Sequence, residues 1–231
     1  MEELLKQGLA ALGLPTDGVP ALARYGELLL EKNQVMNLTA ITDPADVAAL
    51  HFLDSAALLT LTDFRERSVA DVGTGAGFPG LPLRIVEPTT RLTLLDAQNK
   101  RVEFLREVCG ELNLPDVECV HARAEEFAAD RRERYDIVTS RAVANLRLLS
   151  ELCLPLVRPG GIFLAMKSVD SSAELEEALR AIQTLGGSVE KTMDYRIPGT
   201  DVLHRAILIK KIQKTEKKYP RTFAKMKKHP L

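Results

Sequence analysis

The sequence predicts an α/β fold: a mostly parallel, seven-stranded sheet flanked by helices, preceded by a helical segment and closed by an antiparallel hairpin. Three observations predict it. From Ser68 to Gly187, short apolar runs alternate with amphipathic stretches of helical period, the pattern of strands joined by crossover helices. The first apolar run leads into four glycines, in Val69-Ala-Asp-Val-Gly-Thr-Gly-Ala-Gly-Phe-Pro-Gly80. Glycine takes φ > 0 cheaply and lets backbone approach a ligand, so such a loop belongs after a strand at a binding crevice. Finally, Val189 to Tyr195 and His204 to Lys211 are apolar runs joined by a turn containing Pro198-Gly199. That connection is too short for a crossover helix, so these two strands must run antiparallel.

Composition bounds the rest. The chain has 231 residues, 45% of them hydrophobic, enough for one sizeable core with an appended element. No apolar run approaches the length of a membrane span, and the first residues, Met1-Glu-Glu-Leu-Leu-Lys, are acidic rather than signal-like. Cys109, Cys119 and Cys153 are odd in number and form no C-x-x-C pair. A reducing compartment is expected, without disulfides or a structural metal, and hence a soluble cytoplasmic protein. The net charge of −1 conceals an asymmetry: residues 210–228 hold nine basic residues against one acid, leaving 22 basic and 31 acidic residues elsewhere. An acidic body with a basic tail suits a polyanionic partner, with a merely solvated tail as the alternative.

Residues 1–65 read as helices packed on the main domain. Leu4, Leu5, Leu9 and Leu12 share a helical spacing that Gly13 and Pro15 stop. A second helix spans about 19–32, with Leu22, Tyr25, Leu28 and Leu29 on one side. Asp43-Pro44 caps a third, which ends near Thr60. It carries Leu50, Leu53, Ala57 and Leu61 on one face and His51, Asp54 and Ser55 on a polar strip. Residues 66–211 form the α/β domain, with further strands at Arg91 to Asp96, Val117 to His121, Tyr135 to Ser140 and Gly161 to Lys167. Ala124-Glu-Glu-Phe127 reads as a turn. Helices are expected over Gln98 to Leu112, over Leu146 to Val157 with a stop at Pro159-Gly160-Gly161, and after a capping box of Ser171 and Glu174. Residues 212–231 form the basic tail.

In such a sheet the ligand lies beyond the carboxyl ends of the strands. Gly75, Gly77 and Gly80 fit a dinucleotide fingerprint, whereas Asp71 with Gly73, Gly75 and Gly77 fits an S-adenosylmethionine loop. Asp96, ending the second strand, can accept both hydroxyls of a ribose and serves either cofactor. Ala124-Glu125 stands where an adenine edge would be held. Two features favour S-adenosylmethionine. The terminal hairpin replaces the further strand–helix units of a dinucleotide fold, and Asp71 would oppose a pyrophosphate but tolerate an ammonium and a sulfonium. The fold is then the Rossmann-like class I S-adenosylmethionine-dependent methyltransferase fold.

Over nearly its whole length the chain resembles the RsmG (GidB) family of guanine-N7 methyltransferases acting on 16S ribosomal RNA. The resemblance rests on Asn37-Leu-Thr39, His51-Phe-Leu-Asp-Ser55, Asp71-Val-Gly-Thr-Gly-Ala-Gly-Phe-Pro-Gly-Leu-Pro82, Leu94-Leu-Asp-Ala97, Lys100-Arg-Val102, Arg123-Ala-Glu-Glu126, Ser140-Arg-Ala142 and Ala165-Met-Lys167. It implies cofactor binding by Gly73, Gly75, Phe78, Asp96, Ala124, Glu125 and Arg141. It also implies roles for His51, Arg123, Arg141 and Lys167 in positioning or RNA contact rather than acid–base chemistry. The implied partner is 16S rRNA or the small ribosomal subunit, with no membrane, and a monomer is expected. Tyr219-Pro-Arg221 and His229-Pro-Leu231 resemble the tail of longer family members, whereas the intervening Thr222-Phe-Ala-Lys-Met-Lys departs from their glycine- and proline-bearing stretch.

The residues themselves agree with that chemistry. Thr139-Ser-Arg141 occupies the place of the Asn/Asp-Pro-Pro-Tyr/Phe used for exocyclic amines, and no cysteine sits in a Pro-Cys site for attack at pyrimidine C5. Guanine N7 carries a lone pair and no proton, so in-line transfer needs no general base. Competing readings are an RNA-binding assembly factor with a non-catalytic pocket, and a small-molecule methyltransferase. For single residues the plain alternatives are a structural histidine at His51, and surface pairing of Arg141 and Lys167 with acids such as Asp136 or Asp170.

Overall fold

In the computed structural model, which describes residues 1–141 and 144–231, the apolar runs become β1 (Ser68–Val72), β2 (Arg91–Asp96), β3 (Glu118–His121), β4 (Tyr135–Arg141), β5 (Val157–Ser168), β6 (Gly187–Arg196) and β7 (Leu203–Lys211). Ala142, the last residue of one family motif, lies outside the described residues. The seven strands form one sheet in the order β3-β2-β1-β4-β5-β7-β6. β1 to β5 are parallel, and β7 pairs antiparallel with both β5 and β6. The terminal hairpin therefore inserts its second strand beside β5. The strand order reverses between β1 and β4, which opens a crevice at their carboxyl ends.

Each parallel connection needs a crossover, supplied by α5 (Gly80–Val86), α6 (Asn99–Glu111), α7 (Ala124–Asp130) and α8 (Leu146–Cys153), the last followed by a 3₁₀ turn at Leu154–Leu156. α9 (Ser172–Thr184) leads from β5 to the hairpin. On α6, Val102, Leu105, Val108 and Cys109 recur at helical spacing and are buried. Three local expectations fail for identifiable reasons. Ala124 to Phe127 is the start of α7 rather than a turn; its Glu125 and Glu126 lie in the first helical turn, where the N-terminal dipole favours acids. Pro159-Gly160-Gly161 lies inside β5 rather than ending a helix, because a Cβ at Gly161 would stand 2.6 Å from the Asp136 carbonyl oxygen on β4. The capping box at α9 does not form. The Ser171 hydroxyl is buried without a partner among the described residues, and Glu174 instead accepts from the Leu146 amide and from Lys167 Nζ.

The amino-terminal helices are α1 (Glu2–Ala11) and α2 (Val19–Met36), followed by α3 (Pro44–Val47), a π-helical turn at Ala48–Leu53, α4 (Asp54–Ala56) and a 3₁₀ turn at Ala57–Thr60. α2 runs four residues beyond the expected Lys32 and ends where Asn37 adopts the left-handed conformation, φ 48°. The Asn33 side chain then bonds both the amide and the carbonyl of Thr39, at 2.9 and 3.0 Å. Asp43 caps α3 as expected, accepting from Ala45 and Asp46 amides at 2.8 and 3.1 Å. The π turn breaks the 3.6-residue period. Leu53 and Ala57 are buried but Leu50 and Leu61 only partly, while the polar strip of His51, Asp54 and Ser55 is buried instead. Leu5, Leu22, Tyr25 and Phe52 share one hydrophobic cluster with Leu81, Leu94 and Leu105. These helices thus cover one face of the sheet. No helix among the described residues is long and apolar enough to cross a membrane.

The other face is covered by α8, α9 and the last twenty residues, which pack rather than dangle. Lys211 is fully buried and donates to the Leu154 carbonyl at 2.6 Å; burial holds its ammonium down at about 8. Arg132 donates to the carbonyls of Thr215, Glu216 and Tyr219 at 2.6 to 2.8 Å. Arg221 forks onto Glu151, itself 2% exposed, at 2.8 and 2.6 Å. Beyond it, α10 (Phe223–Lys228) buries Met226. Removing the arginine would leave a buried carboxylate uncompensated. Arg221→Ala is therefore expected to lower unfolding free energy by about 3 kcal/mol in denaturant titration; a change under about 0.5 kcal/mol would show that the pair does not hold the segment.

Candidate functional site

The site starts at the loop between β1 and α5. Gly73, Gly75 and Gly77 all take positive φ, 68°, 61° and 107°, a conformation that side chains rarely adopt. At Gly77 a Cβ would also meet the Tyr25 hydroxyl at 2.3 Å. Gly75 differs, because a Cβ there would meet nothing within 4 Å. Its open side borders the crevice, and its amide donates to Asp96 Oδ2 at 2.9 Å.

Asp71 holds this loop from beneath. Its Oδ2 accepts from the Thr74 hydroxyl at 2.7 Å and the Gly80 amide at 2.9 Å, and its Oδ1 from the Thr139 hydroxyl at 3.2 Å. The residue is fully buried and lines no part of the crevice. Its carboxylate consequently does not face a ligand's charges, as the sequence argument about Asp71 assumed. Burial pushes the carboxyl up to about 6, against the opposing pull of its three donors.

The crevice has two adjoining parts. The larger, about 400 Å³, is lined by Leu38, Thr39, His51, Gly73, Thr74, Gly75, Ala76, Phe78, Asp96, Ala97, Gln98, Arg101 and Arg141. The smaller, about 110 Å³, is lined by Val72, Leu95, Ala122, Arg123, Ala124, Glu125, Leu152 and Phe223, and shares Gly73, Asp96 and Ala97 with the first. Asp96 thus stands on the ridge between them. It is 4% exposed, and its Oδ1 accepts from the Gln98 amide at 2.8 Å. Arg123 Nε donates to Glu125 Oε1 at 2.9 Å.

At the far end of the larger part, Arg141 from the tip of β4 is fixed on three sides. Nη1 donates to the Leu50 carbonyl at 3.0 Å and to Asp54 Oδ2 at 3.2 Å, and Nη2 lies 2.9 Å from His51 Nδ1. Its guanidinium lies 5.0 Å from the Phe78 ring centre. Arginine has only donors, so His51 Nδ1 must accept. The proton then sits on Nε2, which donates to the Thr39 hydroxyl oxygen at 2.7 Å. The imidazole also stacks on Phe78, 4.5 Å between centres and 17° between planes. Burial, and next the Arg141 charge, pull His51 down to about 4, so the ring is neutral at physiological pH.

Of the expected site residues, Gly73, Gly75, Phe78, Asp96, Ala124, Glu125, His51, Arg123 and Arg141 line the crevice. Lys167 does not. Its Nζ donates to the Ala144 carbonyl at 2.7 Å and to Glu174 Oε1 at 2.6 Å. Neither Arg141 nor Lys167 takes the acids nearest in sequence, Asp136 or Asp170. Sequence reasoning passed over Asp54, which is fully buried and accepts from Arg141, from the Tyr195 hydroxyl at 2.8 Å and from His204 Nδ1 at 2.8 Å. The signal was present in His51-Phe-Leu-Asp54, one helical turn, and in the hairpin, where Tyr195 and His204 are register partners. No cluster of metal-ligating side chains occurs among the described residues.

The crevice suits an adenosine-bearing ligand: a carboxylate on a ridge between two hollows, an apolar smaller hollow, and a glycine amide edge without side chains. The sheet order and loop are those of the class I S-adenosylmethionine-dependent methyltransferase fold. The solved structure of M. jannaschii TYW2 in complex with AdoMet shares it, with TM-score 0.55 at 12% identity over 69% of this chain and 75% of that one. The family model GidB, rRNA small subunit methyltransferase G, matches residues 19–199. Proteins called Ribosomal RNA small subunit methyltransferase G match along the whole chain. The one from Alkaliphilus oremlandii is 45% identical, covering 100% of this chain and 99% of its own. The one from Staphylococcus epidermidis is 47% identical, covering 100% and 96%. The chain belongs to this family of methyltransferases.

The raised Asp71 carboxyl has a sign that can be checked. A group whose value rises on folding gives stability that is present below its unfolded value and lost as pH climbs through its folded one. Asp71→Asn, neutral throughout, keeps acceptor and hydroxyl partners while removing that loss. Between about pH 4 and pH 7 the variant's stability relative to the parent is expected to rise by up to about 3 kcal/mol. Unfolding curves at four pH values measure it, and parallel pH profiles would sink the assignment.

Proposed function

We propose that this methyltransferase uses S-adenosylmethionine to methylate guanine N7 in an accessible loop of 16S rRNA, by direct in-line transfer without a general base. The observation that carries the reading is the state of His51. Its Nδ1 is engaged by Arg141, its Nε2 proton by Thr39, and its basicity is depressed to about 4. The carboxylates of the crevice are engaged as well, Asp96 by two backbone amides and Glu125 by Arg123. A proton-bearing nucleophile would be poorly served by such a site. Guanine N7 needs no proton removed, and the cofactor supplies an electrophilic methyl group.

In this reading Asp96 accepts the ribose hydroxyls with its remaining lone pairs, and the amide edge at Gly73 and Gly75 leaves room for the amino-acid end. Ala124 and Glu125 border the adenine. Phe78, His51 and Arg141 shape the end where a guanine would enter. The guanidinium, already fixed by Asp54 and the Leu50 carbonyl, is placed to meet guanine O6 or a neighbouring phosphate. Rate then comes from holding N7 in line with the methyl group, where misplacement by about 1 Å costs on the order of 100-fold. The target base must be unstacked to reach such a crevice, which favours a loop. Arg123, at the rim, suits the RNA backbone. Lys167 supports the segment at Ala144 instead of touching the substrate. The names of the relatives point to RNA of the small subunit.

The deciding experiment offers radiolabelled S-adenosylmethionine with naked 16S rRNA, small subunits and whole ribosomes in parallel, and maps the product. Label at guanine N7 of 16S rRNA is expected. Label on another atom would replace the substrate assignment, and tight RNA binding without label would favour an assembly factor. Arg141→Ala is expected to lower kcat/KM on the preferred substrate by about 100-fold, and Asp96→Ala to weaken cofactor binding about 10- to 100-fold. With both substrates saturating, the rate of methyl transfer should stay flat from about pH 6 to pH 9, because His51 titrates near 4. A rise with an apparent midpoint near 7 would reveal a general base and overturn the base-free step.

A further inference from the structure

The last segment of the chain does more than cover a sheet face. After Lys211 it crosses Arg132 and α8, and the Arg221–Glu151 fork fixes its direction. The next residues deliver Phe223 to the smaller hollow, where its ring forms part of the lining together with Leu152, Ala124 and Glu125. The placement is specific to that side chain. On α10, Ala224, Lys225, Lys227 and Lys228 are exposed, while Phe223 is half-buried and Met226 buried. The Arg123 guanidinium lies 5.2 Å from the Phe223 ring centre on one side, a cation–π distance that steadies the ring.

The hollow has the chemistry of a flat heteroaromatic site. Its walls are apolar, from Val72, Leu95, Ala122 and Leu152, and its charged side chains stand at its edges: Asp96, Glu125 and the Arg123 that pairs with Glu125. We propose that Phe223 is a cofactor-binding residue supplied by the carboxyl-terminal segment, packing against the adenine ring. The inference rests on the cofactor reading above. A consequence follows from linkage: if the docked segment completes the adenine site, then cofactor must hold the segment down by the same factor. Residues 212–231 are therefore a binding element of the cofactor site.

Calorimetry with the full chain, using S-adenosylhomocysteine and adenosine as separate probes, tests this. Phe223→Ala is expected to weaken both probes by the same factor, about 5- to 30-fold, and Phe223→Tyr to keep parental affinity. Phe223→Leu keeps apolar packing but loses the aromatic face, and a smaller loss, about 3- to 5-fold, is expected. In hydrogen exchange, S-adenosylhomocysteine should protect amides of residues 212–231 in the parent and protect them less in Phe223→Ala. Parental affinity in both Phe223→Ala and Phe223→Leu would overturn the proposal, as would absence of ligand-dependent protection. A loss seen for S-adenosylhomocysteine but not for adenosine would also overturn it. The Asp96→Ala control separates the two readings. If that variant loses affinity while the Phe223 variants do not, the cofactor site stands and Phe223 is outside it. If the parent binds neither probe, both readings fall.

Discussion

The site depends on one buried carboxylate. Asp71 has no solvent exposure, yet hydroxyls from its own loop and from β4, and the first amide of α5, converge on it. A charge buried this way is costly unless donors surround it, and these three donors offset part of that cost. What that arrangement secures is geometry. Thr74 and Gly80 are pulled toward the end of β1, so the residues between them must bulge outward. That bulge turns the Gly75 amide toward Asp96 and leaves the side-chain-free edge along the crevice. The carboxylate that shapes the site is therefore separate from Asp96, the carboxylate that lines the crevice.

A second buried acid organises the opposite wall. Asp54 gathers Arg141 from β4 and, from the terminal hairpin, Tyr195 on β6 and His204 on β7, joining regions far apart in sequence. The π-helical turn just before Asp54 carries His51, whose ring lies between Thr39 and Arg141 while stacking on Phe78. Arg141 is thereby oriented by the fold itself, and its rotamer entropy is lost on folding. The amino-terminal helices and the terminal hairpin, which look peripheral in a strand-by-strand description, meet at this one side chain. They are part of the crevice's construction.

Much of the fold was legible because its signals are local. The bounds of β2, Arg91 to Asp96, coincide with the apolar run and its acid, and the connection through Pro198-Gly199 dictated an antiparallel pair. Signals failed where distant residues decide. Glu174 has the spacing of a capping residue, but Lys167 and the Leu146 amide compete for it and win. Arg141 has acids close in sequence, yet its partner lies 87 residues earlier. Asp71 reads as a ligand-facing acid until Thr139, 68 residues later, encloses it. The π turn has no periodic signature at all, and it buried a strip that helical spacing placed at the boundary. Most motif positions were legible in the same way and line the crevice, but Lys167, Asp54 and the docked tail needed the folded chain.

The tail shows how far composition can mislead about charge. Nine basic residues in nineteen suggested a tail for a polyanionic partner, or a merely solvated one. Lys211 is instead enclosed beside Glu133, Arg221 is held on Glu151, and Lys218 lies 2.8 Å from Glu216. Arg221 thus ties the segment to an acid of the body, whereas Lys218 and Glu216 pair within the segment itself. The exposed lysines of α10, Lys225, Lys227 and Lys228, follow directly on the residue that reaches the smaller hollow. The tail's own folding thus converts a compositional excess into a located one.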